Sequence, residues 1–193
     1  MRIIAAAAVL YVLLLTAGFA QVNSTSSLQP TVLEIFARQP TARIRWSKEV
    51  GRIESPEVGV VITALVIEDA VHAPGRMRGV RIDLFNKNAR DQVYLEMARL
   101  GPVKKALDEI ESEINAFQKE QAEGTYRCRG AAEFWHPDQR IHTLNAAYCI
   151  APDWSGLSLS AYKAQGFRFT GHRPSELAAA IGRAMEELER RSR

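Results

Sequence analysis

Cysteine is almost missing from this chain: 193 residues carry two, Cys128 and Cys149. Histidine is nearly as scarce, with His72, His136, His142 and His172 only. A structural zinc site needs three or four convergent Cys, His or carboxylate ligands. Two cysteines and four scattered histidines do not supply them, and there is no H-E-x-x-H. No C-x-x-C is present to lower a thiol pKa for redox work. A Walker loop, a G-x-G-x-x-G and a G-x-S-x-G are all absent, so neither nucleotide binding nor a nucleophile elbow is signalled. No D-x-D-x-D-G calcium loop occurs either. The sequence therefore calls for no metal and no cofactor.

A large excess of either charge is missing too. Twenty-five basic residues face 22 acidic ones, a net of +3. A nucleic-acid binder clusters Lys and Arg on one face or along one helix. Here the densest group is Arg190, Arg191 and Arg193, which suits the negative end of a helix dipole. No nucleic-acid partner is expected.

What is present starts at Met1-Arg2. An apolar run from Ile3 to Ala20, interrupted only by Tyr11 and Thr16, ends on Gly18-Phe19-Ala20 before a polar stretch. A basic start, an apolar middle and small residues before a cleavage point make residues 1–20 a secretory signal peptide, with the mature chain opening near Gln21. The competing reading is a retained anchor, because the run is at the lower limit of a bilayer span. Membrane contact is expected only in that second case. The destination is the periplasm or the extracellular space.

Residues 21–40 read as a polar tether followed by a short helix over Thr31 to Gln39. Residues 41–193 read as a single α+β domain. Its strand signals are Ala42–Trp46, the β-branched run Gly59–Ile67, the alternating Gly79–Leu84 and a short Val93–Leu95. Pro102 is expected to open a long helix with Val103, Leu107, Ile110, Ile114 and Phe117 inward. Thr125–Trp135 and Arg140–Ile150 read as a second hairpin around a turn at His136–Gln139. Leu157–Ser160 and Phe167–Phe169 are weaker strand signals, and Ser160–Gln165 is open between helix and loop. Pro174 opens the last helix, with Leu177, Ile181, Ala184 and Leu188 inward. The expectation is an antiparallel sheet with two long helices on one face. The two helices align at a fixed offset, Val103 on Ile181. This fits duplicated strand–strand–helix halves, 41–120 and 124–193, or a chance likeness of two amphipathic helices.

The second hairpin makes a geometric statement about the cysteines. A turn centred between Asp138 and Gln139 puts Cys128 opposite Cys149 and Trp135 opposite His142. Opposed residues are close enough for a bridge, and an exported chain is oxidised. A Cys128–Cys149 disulfide is expected. In the same register Arg127, Arg129, Glu133, Trp135, His142 and Tyr148 share one face. Charged groups interleaved with aromatics suit a small polar ligand, a glycan or a protein, and equally suit a solvated sheet face. The functional expectation is a non-enzymatic exported binding or accessory module. Its alternative is a periplasmic or secreted hydrolase whose catalytic residues are dispersed in sequence, as Ser-His-Asp sets are.

Overall fold

The computed structural model describes residues 30–72, 75–119, 127–135, 142–161 and 166–191. The expected signal peptide, the expected tether up to residue 29, the expected turn at His136–Gln139 and Arg193 lie outside the described residues. The fold is α+β. A short helix α1 (Val32–Ala37) is followed by strands β1 (Arg43–Ser55), β2 (Val58–Glu68), β3 (Arg76–Asn86) and β4 (Arg90–Glu96) and by helix α2 (Met97–Lys119). Strands β5 (Arg127–Trp135), β6 (His142–Ile150), β7 (Ser155–Ser160) and β8 (Gly166–Thr170) and helix α3 (Pro174–Arg190) complete it. Each set of four strands is an antiparallel meander in chain order. Each sheet is thus four strands followed by a helix, where a strand–strand–helix order was expected, and the strands form two sheets rather than one. The weak strand signals at Phe167–Phe169 and Val93–Leu95 were edge strands, too short to show a long alternation.

The two halves share one core because their helices are exchanged. Helix α2, from the first half, packs mainly on β5 and β6, whereas α3 packs on β1 and β2, and the helices also pack on each other. Val60, Ile62, Val80, Ile82, Leu144, Leu157, Phe167, Phe169, Leu107 and Ile181 all belong to this one cluster, each at most 1 % exposed. Side chains of this size are worth about 1.5–3 kcal/mol each on burial. Neither half could bury its sheet face with its own helix in this arrangement.

Helix α2 begins at Met97, so Pro102 sits inside it rather than at its start. Leu100 explains the extension: it is fully buried and lies three residues before Val103 on the same stripe. The N–H that Pro102 lacks would have bonded the carbonyl of Ala98, an exposed residue whose carbonyl can turn to water.

Strand β1 bulges between Glu49 and Gly51. The bulge brings the strand against α3, where a Cβ on Gly51 would stand 2.4 Å from the Ala180 Cβ. Arg183 Nε donates to the Val50 carbonyl at 2.7 Å, and Lys48 Nζ donates to Glu187 Oε1 at 2.7 Å, so α3 runs along β1.

Cys128 and Cys149 form the expected disulfide. They are directly opposed in the β5–β6 register with Cα atoms 4.1 Å apart. That is close to the spacing of a non-hydrogen-bonded antiparallel pair.

Candidate functional site

The first sheet has two distinct faces. Val60, Ile62, Ala64 and Val66 of β2, with Val80, Ile82 and Leu84 of β3, turn inward to the helices and are buried. The intervening residues form an outer face, and α1 covers one end of it. Leu33 and Phe36 pack there on Leu65 and Ile67. Thr31 caps the helix, its Oγ1 accepting from the Glu34 N–H at 3.1 Å. The Leu33 N–H donates to Glu96 Oε1 at 3.1 Å. Gly79 makes the docking possible, because a Cβ there would stand 2.5 Å from Leu33 Cδ2.

Beyond α1 the outer face is an open groove of about 820 Å³. Its arginines come from four elements: Arg38 after α1, Arg52 on β1, Arg81 on β3 and Arg90 on β4. Their register explains the convergence. Arg52 opposes Val61, Val61 opposes Asp83, and Asp83 opposes Gln92. Arg81 and Arg90 lie on the neighbouring rows, opposite Tyr94 and Phe85. The Phe85 ring covers Gly59, its cross-strand partner, and gives one end of the groove an aromatic wall.

The polar groups hold one another in place. Arg81 Nε donates to Asp83 Oδ2 at 2.8 Å, Gln92 Nε2 donates to Asp83 Oδ1 at 2.6 Å, and the Tyr94 hydroxyl donates to Gln92 Oε1 at 3.1 Å. Arg52 donates to Glu49 at 2.9 Å and to Glu54 at 2.7 Å. The Arg52 hydrogen bond lowers the Glu49 carboxyl, and the bonds to Glu49 and Glu54 raise the Arg52 guanidinium above its usual range. Burial raises the Tyr94 phenol. Glu34, only 3 % exposed, accepts from Arg38. The groove is therefore a preorganised surface of alternating donors and acceptors with an aromatic wall.

The residues expected from the second hairpin lie on β5 and β6. Arg129 opposes Tyr148, but β5 bulges between Arg129 and Ala132, so Glu133 opposes Asn145. A second shift between Phe134 and Trp135 restores Trp135 to His142. Arg127 opposes Ile150, which is buried. Tyr148 is no open-face residue: it is 5 % exposed, and its hydroxyl accepts from Gln118 Nε2 of α2 at 3.3 Å. The expected face is the one that α2 covers at Tyr148. Gly130, inside the bulge, was the sequence signal that could have warned of the shift.

Two histidines have defined surroundings. In the β2–β3 loop the buried Asp69 carboxylate accepts from Thr41 Oγ1 at 2.8 Å and contacts His72 Nδ1 at 2.9 Å. His172 contacts Glu176 Oε2 through Nδ1 at 2.9 Å and the Glu54 carbonyl through Nε2 at 3.0 Å, tying the start of α3 to β1. Among the described residues no three His, Cys, Asp or Glu side chains are grouped to hold a metal ion. Among them too, no helix is long and apolar enough to cross a membrane.

Comparison with known proteins adds no second line: no family model, curated protein or solved structure matches the chain.

Proposed function

We propose that this protein is an exported, non-enzymatic binding or accessory module that takes a polar ligand on the outer face of its first sheet. The groove between α1 and the β1–β4 face carries this reading. Its paired arginines, carboxylates and Gln92 offer donors and acceptors in fixed positions, and Phe85 offers a ring for stacking, which together suit a glycan or another small polar ligand. Export rests on the leader-like residues 1–20 and on the Cys128–Cys149 disulfide, which persists in oxidising compartments.

The hydrolase alternative finds its best support in Asp69 and His72, since a carboxylate on Nδ1 is how a catalytic imidazole is oriented. Thr41 lies on that same nitrogen, at 3.3 Å, and a nucleophile would have to lie on Nε2. The dyad thus reads as a loop clamp, and binding is preferred.

Backbone amide NMR of the exported protein, titrated with a panel of oligosaccharides and short charged peptides, tests the proposal. A ligand should shift the amides of Val61, Arg81, Asp83 and Gln92. Shifts centred on Arg129 and Tyr148 would return the site to the second hairpin. Turnover of an ester or glycoside substrate, lost in His72→Ala, would establish the hydrolase.

A further inference from the structure

The helix-bearing face of the first sheet ends in a cluster of arginines that the groove does not use. We propose that this end docks on a bilayer containing anionic phospholipids, with lipid phosphates as the partners of its guanidiniums.

Pairing aligns Arg43, Glu68 and Arg76 in one row across β1, β2 and β3, and Trp46, Val66 and Arg78 in the next row on that face. Strands are about 5 Å apart and same-face rows about 7 Å apart, so the cluster is compact. Arg45 Nε donates to Glu68 Oε2 at 2.8 Å, and Arg76 Nε lies 3.7 Å from Glu68 Oε1. Arg43 Nη1 donates only to the carbonyls of Pro40 and Ala42 among the described residues. Arg78 has no acidic partner among them. The Arg191 guanidinium sits over the Trp46 ring, 5.0 Å from its centroid.

Five guanidiniums thus share this end of the sheet, and Arg45 and Arg76 meet its one carboxylate, Glu68. The other charges at this end do not offset them. Glu187 is already held by Lys48 and Arg190, and Asp69 is buried in its loop with His72. The C-terminus of α3 supplies about half a negative charge. The near-neutral composition hides this excess, because β-pairing gathers arginines from two strands and a helix end.

Two exposed apolar side chains indicate a bilayer rather than a soluble polyanion. Ile44 of the edge strand, 52 % exposed, opposes Ile67 and so turns to the other face of the sheet at this same end. Val71, in the loop joining β2 to β3 at the same end, is 69 % exposed. Exposed apolar side chains at the rim of the same end as the arginines suit the headgroup boundary, where the apolar groups pass the phosphates and the guanidiniums bind them bidentately.

The test is co-sedimentation of the whole chain with vesicles of phosphatidylcholine alone and of phosphatidylcholine mixed with phosphatidylglycerol. Binding should favour the anionic vesicles and weaken as salt is raised. At about 1 kcal/mol per basic residue, the triple variant Arg45→Ala/Arg76→Ala/Arg78→Ala should bind them about 100-fold more weakly. Lys87→Ala/Lys105→Ala, which removes two exposed charges elsewhere, should bind normally. Circular dichroism checks that the triple variant is folded. If it is not, Val71→Asp at the exposed loop tip takes its place and should also weaken binding. Equal, salt-insensitive binding to both vesicles would assign membrane contact to the apolar residues 3–20 and overturn the proposal. So would loss of binding to millimolar inorganic phosphate at constant ionic strength, which would reveal a discrete phosphate site.

Discussion

Glu111 of α2 closes the N-terminus of α3: its Oε2 accepts from the Ser175 N–H at 3.1 Å, while Oε1 takes the Arg173 guanidinium at 2.5 Å. The first N–H groups of a helix have no partner within it. Here one of them is satisfied by a carboxylate from the neighbouring helix, placed where the dipole favours negative charge. Glu176 adds a local contact by accepting from the Arg173 N–H at 3.0 Å. This contact joins the last helix of one half to the last helix of the other.

Removing it should cost what a lost cap costs. Glu111→Ala is expected to lower stability by about 1–2 kcal/mol in urea unfolding. Glu109→Ala, whose carboxylate meets only Lys105 on an exposed helix surface at 3.6 Å, should change stability by about 0.5 kcal/mol at most. Equal effects would mean that the cap does not hold α3.

How much of this was legible depends on which force shapes each segment. Gly59–Ile67 was readable because a strand covered on both faces must be apolar throughout. The stripe from Val103 to Phe117 was readable because a helix face repeats every three to four residues. The cysteine pairing was readable because both Cys128 and Cys149 lie beyond the shifts that displace Glu133. Those shifts cancel between Cys128 and Trp135, so the pairing is as expected at the two ends and offset by one residue at Glu133. The groove was missed for another reason. In Gly79–Leu84 the inward Val80, Ile82 and Leu84 announced a strand, and the outward Arg81 and Asp83 looked like ordinary solvated residues. Only the pairing with β1 and β4, and the docking of α1 at Gly79, turn that outward row into a site. The exchange of helices between halves leaves no local trace, since an apolar stripe does not name the sheet it covers.

Two glycines should respond in opposite directions. Gly51→Ala places a methyl group against Ala180 where β1 meets α3, and should destabilise by about 1–3 kcal/mol through overpacking. Gly182→Ala lies inside α3, where the nearest atom to the added Cβ is Lys104 Cε at 3.5 Å, an ordinary contact, and should stabilise by about 1 kcal/mol. Thermal melts of the two variants check this. A stabilised Gly51→Ala would show that α3 can move away from the bulge without loss.

The Cys128–Cys149 bridge closes a separation of 21 residues. A loop of this length predicts about 3 kcal/mol of stabilisation through the unfolded chain. Cys128→Ser should lose stability of that order while keeping the β5–β6 pairing, read as retained far-ultraviolet dichroism. The native protein, denatured without reductant, should not react with an alkylating agent. Full alkylation of both cysteines would show that the bridge does not form in the compartment where the protein works.

Asp69 should make stability depend on acid in a defined direction. Burial alone pushes its carboxyl up. Hydrogen bonds from the Val71 N–H, the His72 ring, the Thr41 hydroxyl and the His72 N–H outweigh that and hold it well below the usual carboxylate range. In the unfolded chain an aspartate titrates near about pH 3.9. A carboxyl depressed by folding contributes fully above that pH, and the contribution disappears as pH falls toward the folded value. Asp69→Asn should therefore be less stable than the parent chain at about pH 7 and at about pH 5, with the difference shrinking below about pH 4. Urea midpoints measured across that range decide the matter. A difference that does not shrink in acid would mean that the ionised Asp69 carboxylate is not what holds the loop.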